Sequence, residues 1–209
     1  MITEQLVKLF TNVIEEYQVQ KVRPSAFKDK ILDHLLRLND EDRRLRFGGT
    51  VNAGHIERYV NGLRESDIIF AIFDADLNII GLSHFALAND NTAELAFSVD
   101  ENHRGKKYGS KLFHRGILSA KILGIKEIFI QCLSENKAIR ALAKAHKLSV
   151  VTSYGEAEGR LQIDDVRIIE IVEYAMTEHF SLCDFTIKSK LDSIRQTQNT
   201  ILRRVNETV

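Results

Sequence analysis

Between residues 101 and 115 the chain sets Arg104, Lys106, Lys107, Lys111 and Arg115 against a single acid, Glu101, and threads Gly105 and Gly109 among them. Residues 92–100 before this stretch alternate as a half-buried strand does, and residues 110–123 after it carry a helical pattern. A strand that runs through a glycine-bearing loop into a helix leaves the first N–H groups of that helix unpaired and pointing outward. The helix dipole adds partial positive charge there. With basic side chains around it, such a helix start suits a phosphate group; the alternative is a solvated basic turn. The spacing is not that of a P-loop, because only three residues separate Gly105 from Gly109. The chain contains neither a dinucleotide G-x-G-x-x-G nor the G-x-S-x-G of an elbow serine hydrolase.

Alternation along the strand puts Glu94, Ala96, Ser98 and Asp100 on one face and Leu95, Phe97 and Val99 on the other. A face of small and polar residues with two carboxylates fits the wall of an active site. Glu94 there faces either an active-site cleft or solvent. His84 reads as a hydrogen-bonded sheet histidine or as a residue facing an acceptor. His103 and His114 flank the basic loop as surface residues, and Asp74 and Asp76 are turn residues rather than metal ligands. Cys132 and Cys183 have no metal-ligand spacing and make no disulfide framework, so they read as two reduced thiols and no metal is expected.

The elements that must hold these residues follow from periodicity. Residues 3–17 carry Leu6, Leu9, Phe10, Val13, Ile14 and Tyr17 on one helical face. Residues 18–23 read as a short strand ended by Pro24. Ser25 can cap a helix through Ile31, Leu32, Leu35, Leu36 and Leu38. Residues 43–47 look like a charged connector broken at Gly48-Gly49, and residues 52–63 like another helix. Apolar runs at 67–73, 78–87 and 92–100 are joined by Asp74-Ala75-Asp76 and Asn89-Asp90-Asn91, which makes an antiparallel meander. A helix at 110–123, a strand at 127–133 and a Ser134-capped helix at 135–146 follow, then strands at 148–154 and 160–163. The tail, 165–209, reads as one long helix or two, with Ile187, Leu191, Ile194, Ile201 and Val205 as its stripe. The order predicts an α/β (α+β) sandwich with a mixed, mostly antiparallel sheet, not a regular βαβ winding.

Composition bounds the answer. The chain has 209 residues, enough for one domain with embellishments and a core without staples. Its 29 basic residues are balanced by 29 acidic ones, which argues against nucleic acid as a partner. No apolar run approaches a membrane span and the N-terminus has no basic region of a secretory signal, so a cytoplasmic protein without a membrane partner is expected.

The basic loop and its surroundings resemble the GNAT superfamily of acyl-CoA-dependent N-acyltransferases, loosely nearest to the bacterial members related to protein-lysine acetyltransferases. The family's pyrophosphate loop, Q/R-x-x-G-x-G/A, becomes Arg104-Gly105-Lys106-Lys107-Tyr108-Gly109 here, with Lys107 where the first motif glycine is usual. Backbone donation at that position survives a lysine if its φ stays negative. Residues 134–143, containing Asn136, resemble the helix that lies along the pantetheine arm, with Lys147-Leu148 in place of the usual Gly-Phe. Residues 36–47 resemble the region before the second helix of the protein-lysine acetyltransferase relatives. The likeness covers residues 27–163, and the order of elements agrees.

The resemblance implies a GNAT-like domain at 18–164, an added N-terminal helix at 1–17 and a helical extension at 165–209. It implies acetyl-CoA as co-substrate, held by Ser98, Val99, Asp100, Arg104, Gly105, Lys106, Lys107, Tyr108, Gly109, Ser110 and Asn136. It implies transfer to a primary amine by direct attack, with Glu94 as general base and the Ser98 backbone N–H as oxyanion donor. The acceptor is a small molecule or a protein lysine. The family's tyrosine acid has no match near Ala143 or Lys144, but a thiol of ordinary pKa, ~8.5, leaves as thiolate without a strong acid. The other reading is a degenerate fold that binds acyl-CoA as a sensor or interaction module. The tail is expected to dock on its own N-terminal helix and sheet flank, or to form a homodimer through its stripe.

Overall fold

Asp74 accepts from the backbone of Asp76 (2.9 Å) and of Asn78 (2.8 Å), which closes the first tight turn of a meander. The computed structural model describes residues 18–206, and the side chains of all of these but 199 and 201–206. The chain runs β1 (Val19–Val22), α1 (Pro24–Arg37), α2 (Asp40–Phe47), α3 (Ala53–Asn61), β2 (Ile68–Phe73), β3 (Ile79–Leu87) and β4 (Thr92–Val99). It continues through a short turn of helix, Glu101–His103, into α4 (Tyr108–Leu123), β5 (Glu127–Leu133), α5 (Lys137–Ala145), β6 (Ser149–Ser153), β7 (Glu156–Gln162) and α6 (Ile168–Asn206). The helix expected over 3–17 lies outside the described residues.

The seven strands form one sheet in the order β1-β2-β3-β4-β5-β7-β6. Every neighbouring pair is antiparallel except β4 and β5, which are parallel because α4 carries the chain across between them. The expected mixed, mostly antiparallel sheet flanked by helices is therefore present. One face, through Ile69, Ala71, Phe73 and Leu82, packs on α1 and α3. The other, through Leu95, Ile128 and Ile130, packs on α4 and α5. The approach of α4 to β4 is close enough that a Cβ on Gly116 would fall 2.5 Å from Leu95 Cδ2, so any larger residue there would have to push the Leu95 side chain aside.

Three local expectations need correction. Residues 43–47 are not a connector but the end of α2. Asn39 caps that helix by accepting from Asp42 N–H at 2.8 Å, Asp40, Glu41 and Asp42 fill its first turn, and Arg44 and Arg46 its last. Acids first and bases last complement the helix dipole, and Gly48 ends the helix at φ 73°. Ser25 does not cap α1: Arg23 holds the cap position with Pro24 in the first turn, and the Ser25 N–H donates to Glu65 at 3.0 Å. The cap of α5 is Asn136, not Ser134, with the carboxamide oxygen accepting from Ile139 N–H at 3.1 Å.

The tail is one helix of 39 residues, about 58 Å long by helical rise, with its β-branched start included from Ile168 onward. It docks on its own domain. Glu170 pairs with Lys121 at 2.8 Å, and Glu178 takes the fully buried Arg115. Phe185 seats its ring 5.6 Å from Phe27 and 5.0 Å from Phe73. Arg115 thus faces α6 and the rings of Phe70 and Tyr174, so it is not part of the phosphate-side charge expected of it. Ile187, Leu191 and Ile194 are each more than half exposed. Among the described residues no helix is long and apolar enough to cross a membrane.

Candidate active site: the cleft between β4 and β5

β4 and β5 are hydrogen-bonded only over Thr92–Glu127, Ala93–Ile128 and Glu94–Phe129. Beyond these rungs each strand stays paired on its outer side, β4 with β3 as far as Val99 and β5 with β7 as far as Leu133. The sheet is therefore split from within. The split opens into a cleft of about 860 Å³, walled by residues 96–99 of β4 and 130–132 of β5. The loop at 103–105 and the start of α4 close one side, α5 another, and Glu41, Asp42, Leu45 and Arg46 of α2 stand over it.

The register decides which strand groups face the opening. Asp100 N–H donates to Ile80 O at 2.9 Å and Ala88 N–H to Thr92 O at 3.0 Å, so the even-numbered residues of β4 direct their backbone groups at β3. The N–H groups of Ser98 and Asp100 are spent in that ladder. The amides turned to the split belong to Phe97 and Val99. The oxyanion donor expected at Ser98 is accordingly displaced by one residue, an outcome that strand parity fixes and a sequence offset cannot.

α4 begins without a side-chain cap, so the N–H groups of its first turn, Tyr108, Gly109 and Ser110, are left to the cleft. A Cβ built on Gly109 meets nothing within 4 Å, which leaves room over those donors for an anion. Lys107 does not keep the negative φ on which the lysine was expected to be tolerated: it sits at φ 60°, with Gly105 at 78°. The loop keeps the turn of a glycine and makes a lysine adopt it. The donors and the room above them fit a diphosphate such as that of acetyl-CoA. Arg104, Gly105, Lys107, Tyr108, Gly109 and Ser110 line the cleft with Ser98, Val99 and Asn136, whereas Lys106, Asp100 and Glu94 are not among its lining residues.

The acids of the cleft are already matched. Asp42 pairs with Arg104, and Glu41 and Glu135 both hold Arg44, which ties α2 to the loop before α5. Cys132 also lines the cleft, and burial pushes its thiol up from the ordinary range.

Behind β4 the face expected to be polar is built as two clusters. The buried His34, missed in the sequence reading, brings Nε2 within 2.8 Å of Ser98 Oγ, and Nδ1 within 2.9 Å of Ile79 O and 3.0 Å of Asp100 Oδ1. Arg37, one turn along α1, adds a 3.2 Å bond to Asp100. Burial would raise the Asp100 carboxyl, but His34 and Arg37 outweigh it and hold it below the usual carboxylate range. This trio locks the end of β4. The second cluster joins Arg46, Tyr59, His84 and Asp67. His84 is the hydrogen-bonded sheet histidine that was expected, on β3 with the Tyr59 hydroxyl 2.8 Å from Nδ1, and burial, helped by the charge of Arg46, pushes its imidazole down to about 4. Glu94 lies on this same face, half-buried, between Ala86 and Phe129 at the last paired rung.

The sequence matches the family model described as acetyltransferase (GNAT) domain over residues 22–148. No curated protein is similar enough in sequence to match it. The fold is similar to the GNAT domain of S. lividans PAT, with 17% identity, a TM-score of 0.59, and coverage of 69% of this chain and 89% of that one. It is also similar to an acetyltransferase of the GNAT family from Streptococcus pneumoniae (13% identity, TM-score 0.53, 69% and 98% covered). A third likeness is to yncA from Salmonella typhimurium, solved with its cofactor acetyl-CoA (18% identity, TM-score 0.51, 71% and 95% covered). A split between the parallel strands, an uncapped helix start beside it and a family match over more than half the length converge on one assignment: the chain belongs to the GNAT acetyltransferases.

Proposed function

We propose that the chain transfers an acetyl group from acetyl-CoA to a primary amine by direct attack, with Glu94 as general base. The observation that carries this reading is that two sets of backbone donors line one cleft: the strand amides of Phe97 and Val99, and the uncapped first turn of α4. Acetyl-CoA supplies an activated thioester. The α4 donors and Lys107 hold its diphosphate, the Phe97 or Val99 N–H meets the charge that develops on the acyl oxygen, and Asn136 stands along the arm.

An amine with pKa ~10.4 must lose a proton before or as it attacks. Glu94 is two residues down the strand from Ala96, the first cleft residue of β4, or ~7 Å by strand rise. At that reach it takes the proton through an intervening water. The new C–N bond forms as the C–S bond breaks, and the thiolate leaves.

The rival reading is an acyl-CoA sensor without turnover, favoured by the strained Lys107 and by the absence of a tyrosine at Ala143 or Lys144. Acetyl-CoA titrated by calorimetry and CoA thiol release measured with an amine panel on the same preparation separate the two. Binding with amine-dependent release supports transfer. Binding without release for any amine supports the sensor.

A further inference from the structure

Arg46 reaches into the cleft from the last turn of α2. Its guanidinium stacks over Phe47 at 5.1 Å and Tyr59 at 5.5 Å, and Nη2 donates to the Tyr59 hydroxyl at 2.9 Å. Its Nε is buried and has no hydrogen-bond partner. Among the described residues no carboxylate stands within ion-pair distance of it, because the nearby acids are engaged elsewhere. Asp42 holds Arg104, Glu41 and Glu135 hold Arg44, and Asp67 holds Arg64 and faces His84. His84 itself is neutral at physiological pH, with its imidazole at about 4.

Two other cleft cations, Lys107 and Lys137, also have no carboxylate partner among the described residues, but Lys107 belongs to the loop proposed for the diphosphate and Lys137 follows Asn136, which is proposed to stand along the arm of acetyl-CoA. Arg46 instead comes from α2 above the cleft and is linked through Tyr59 to His84, which pairs across strands with Ala96. It is a half-buried, oriented fork of donors with no carboxylate partner among the described residues, beside the strand face that carries Glu94. A planar guanidinium held in this way suits a carboxylate, which can accept two parallel bonds. A polyamine or a lysine-rich peptide needs the reverse, uncompensated acids, and every acid lining this cleft is paired.

We propose that Arg46 binds a carboxylate of the acceptor, so that the substrates are small amines of amino-acid type. This rests on the acetyl-transfer reading above. The test compares kcat/KM, at saturating acetyl-CoA, for an amino acid, its carboxamide and its decarboxylated amine, with wild type, Arg46→Lys and Arg46→Met. The carboxamide's amine is the least basic of the three and the most available as neutral nucleophile, so intrinsic reactivity runs against the expected order. Wild type should favour the acid ~10-fold or more over both partners. Arg46→Met should bring that ratio near one through the KM of the acid, with acetyl-CoA affinity retained, and Arg46→Lys should keep part of it. Three results overturn the proposal: a wild type that treats acid and carboxamide alike, an Arg46→Met that lowers all three substrates equally, or acetylation of lysine peptides with free amino acids refused. Binding of acetyl-CoA with no acceptor of any kind acetylated overturns the transfer reading, and this proposal with it.

Discussion

The Tyr59 hydroxyl lies 2.8 Å from His84 Nδ1, and Arg46 donates to the same oxygen from 2.9 Å. The hydroxyl proton therefore points at His84, and the neutral imidazole carries its own proton on Nε2, which faces Asp67 at 3.6 Å. One chain of groups thus runs from the cleft to the sheet with only its ends charged.

This arrangement makes stability depend on pH. The His84 imidazole is at about 4 in the fold against 6.5 in the unfolded chain, so between these values the unfolded chain binds more protons. Stability should fall as pH drops from 6.5 towards 4, by on the order of 3 kcal/mol. Urea unfolding at stepped pH should show a shallower decline in that window for His84→Gln. Parallel curves for variant and wild type would contradict the proton placement.

A second pH effect belongs to the tail. Burial alone would raise Glu170, but Arg167, Lys121 and a backbone N–H hold it down at about 2. A depressed carboxyl stabilises the fold above its unfolded value of 4.5, and the contribution fades as pH falls through that value towards 2. Glu170→Gln should weaken the protein at neutral pH and flatten its acid limb below 4.5. An unchanged acid limb would mean that α6 is not held on α4 by this pair.

Lys107 is strained where a glycine would not be. Lys107→Gly should stabilise the chain by about 1 kcal/mol, which for this length raises Tm by roughly 2–4 °C. Thermal unfolding checks this; a lower Tm would show that the lysine side chain contributes more than its backbone costs.

Much of this site was legible in the sequence, and the limits are physical. The loop from Arg104 to Ser110 announces itself because glycine, charge and helix start are local. The meander does too, since short turns force neighbours to pair. The split between β4 and β5 is not local: it depends on where a ladder between residues 92–94 and 127–129 ends. Donor parity at Phe97 and Val99 needs the register with β3. Arg46 and Arg115 read alike as charges, yet one stands over a cleft with no carboxylate partner among the described residues and the other is sealed beneath α6. The pairing of His34 with Ser98 spans 64 positions, and its one signal was His34 and Arg37 a turn apart.

Glu94→Gln isolates the base. It should leave acetyl-CoA binding intact and lower turnover by ~10²-fold or more, most strongly at neutral pH. Single-turnover rates against pH decide it: an unaltered profile would move the proton transfer to another group.

The claim on which the account stands is that the uncapped start of α4 seats the diphosphate of acetyl-CoA. Gly109→Asp tests it with little risk to the fold, because its Cβ meets nothing within 4 Å while its carboxylate enters the anion's place. Calorimetric titration of acetyl-CoA into wild type and variant is the direct measurement. The account predicts one site on the wild type and loss of at least ~100-fold in affinity in a variant that melts normally. Undiminished affinity in Gly109→Asp would contradict it.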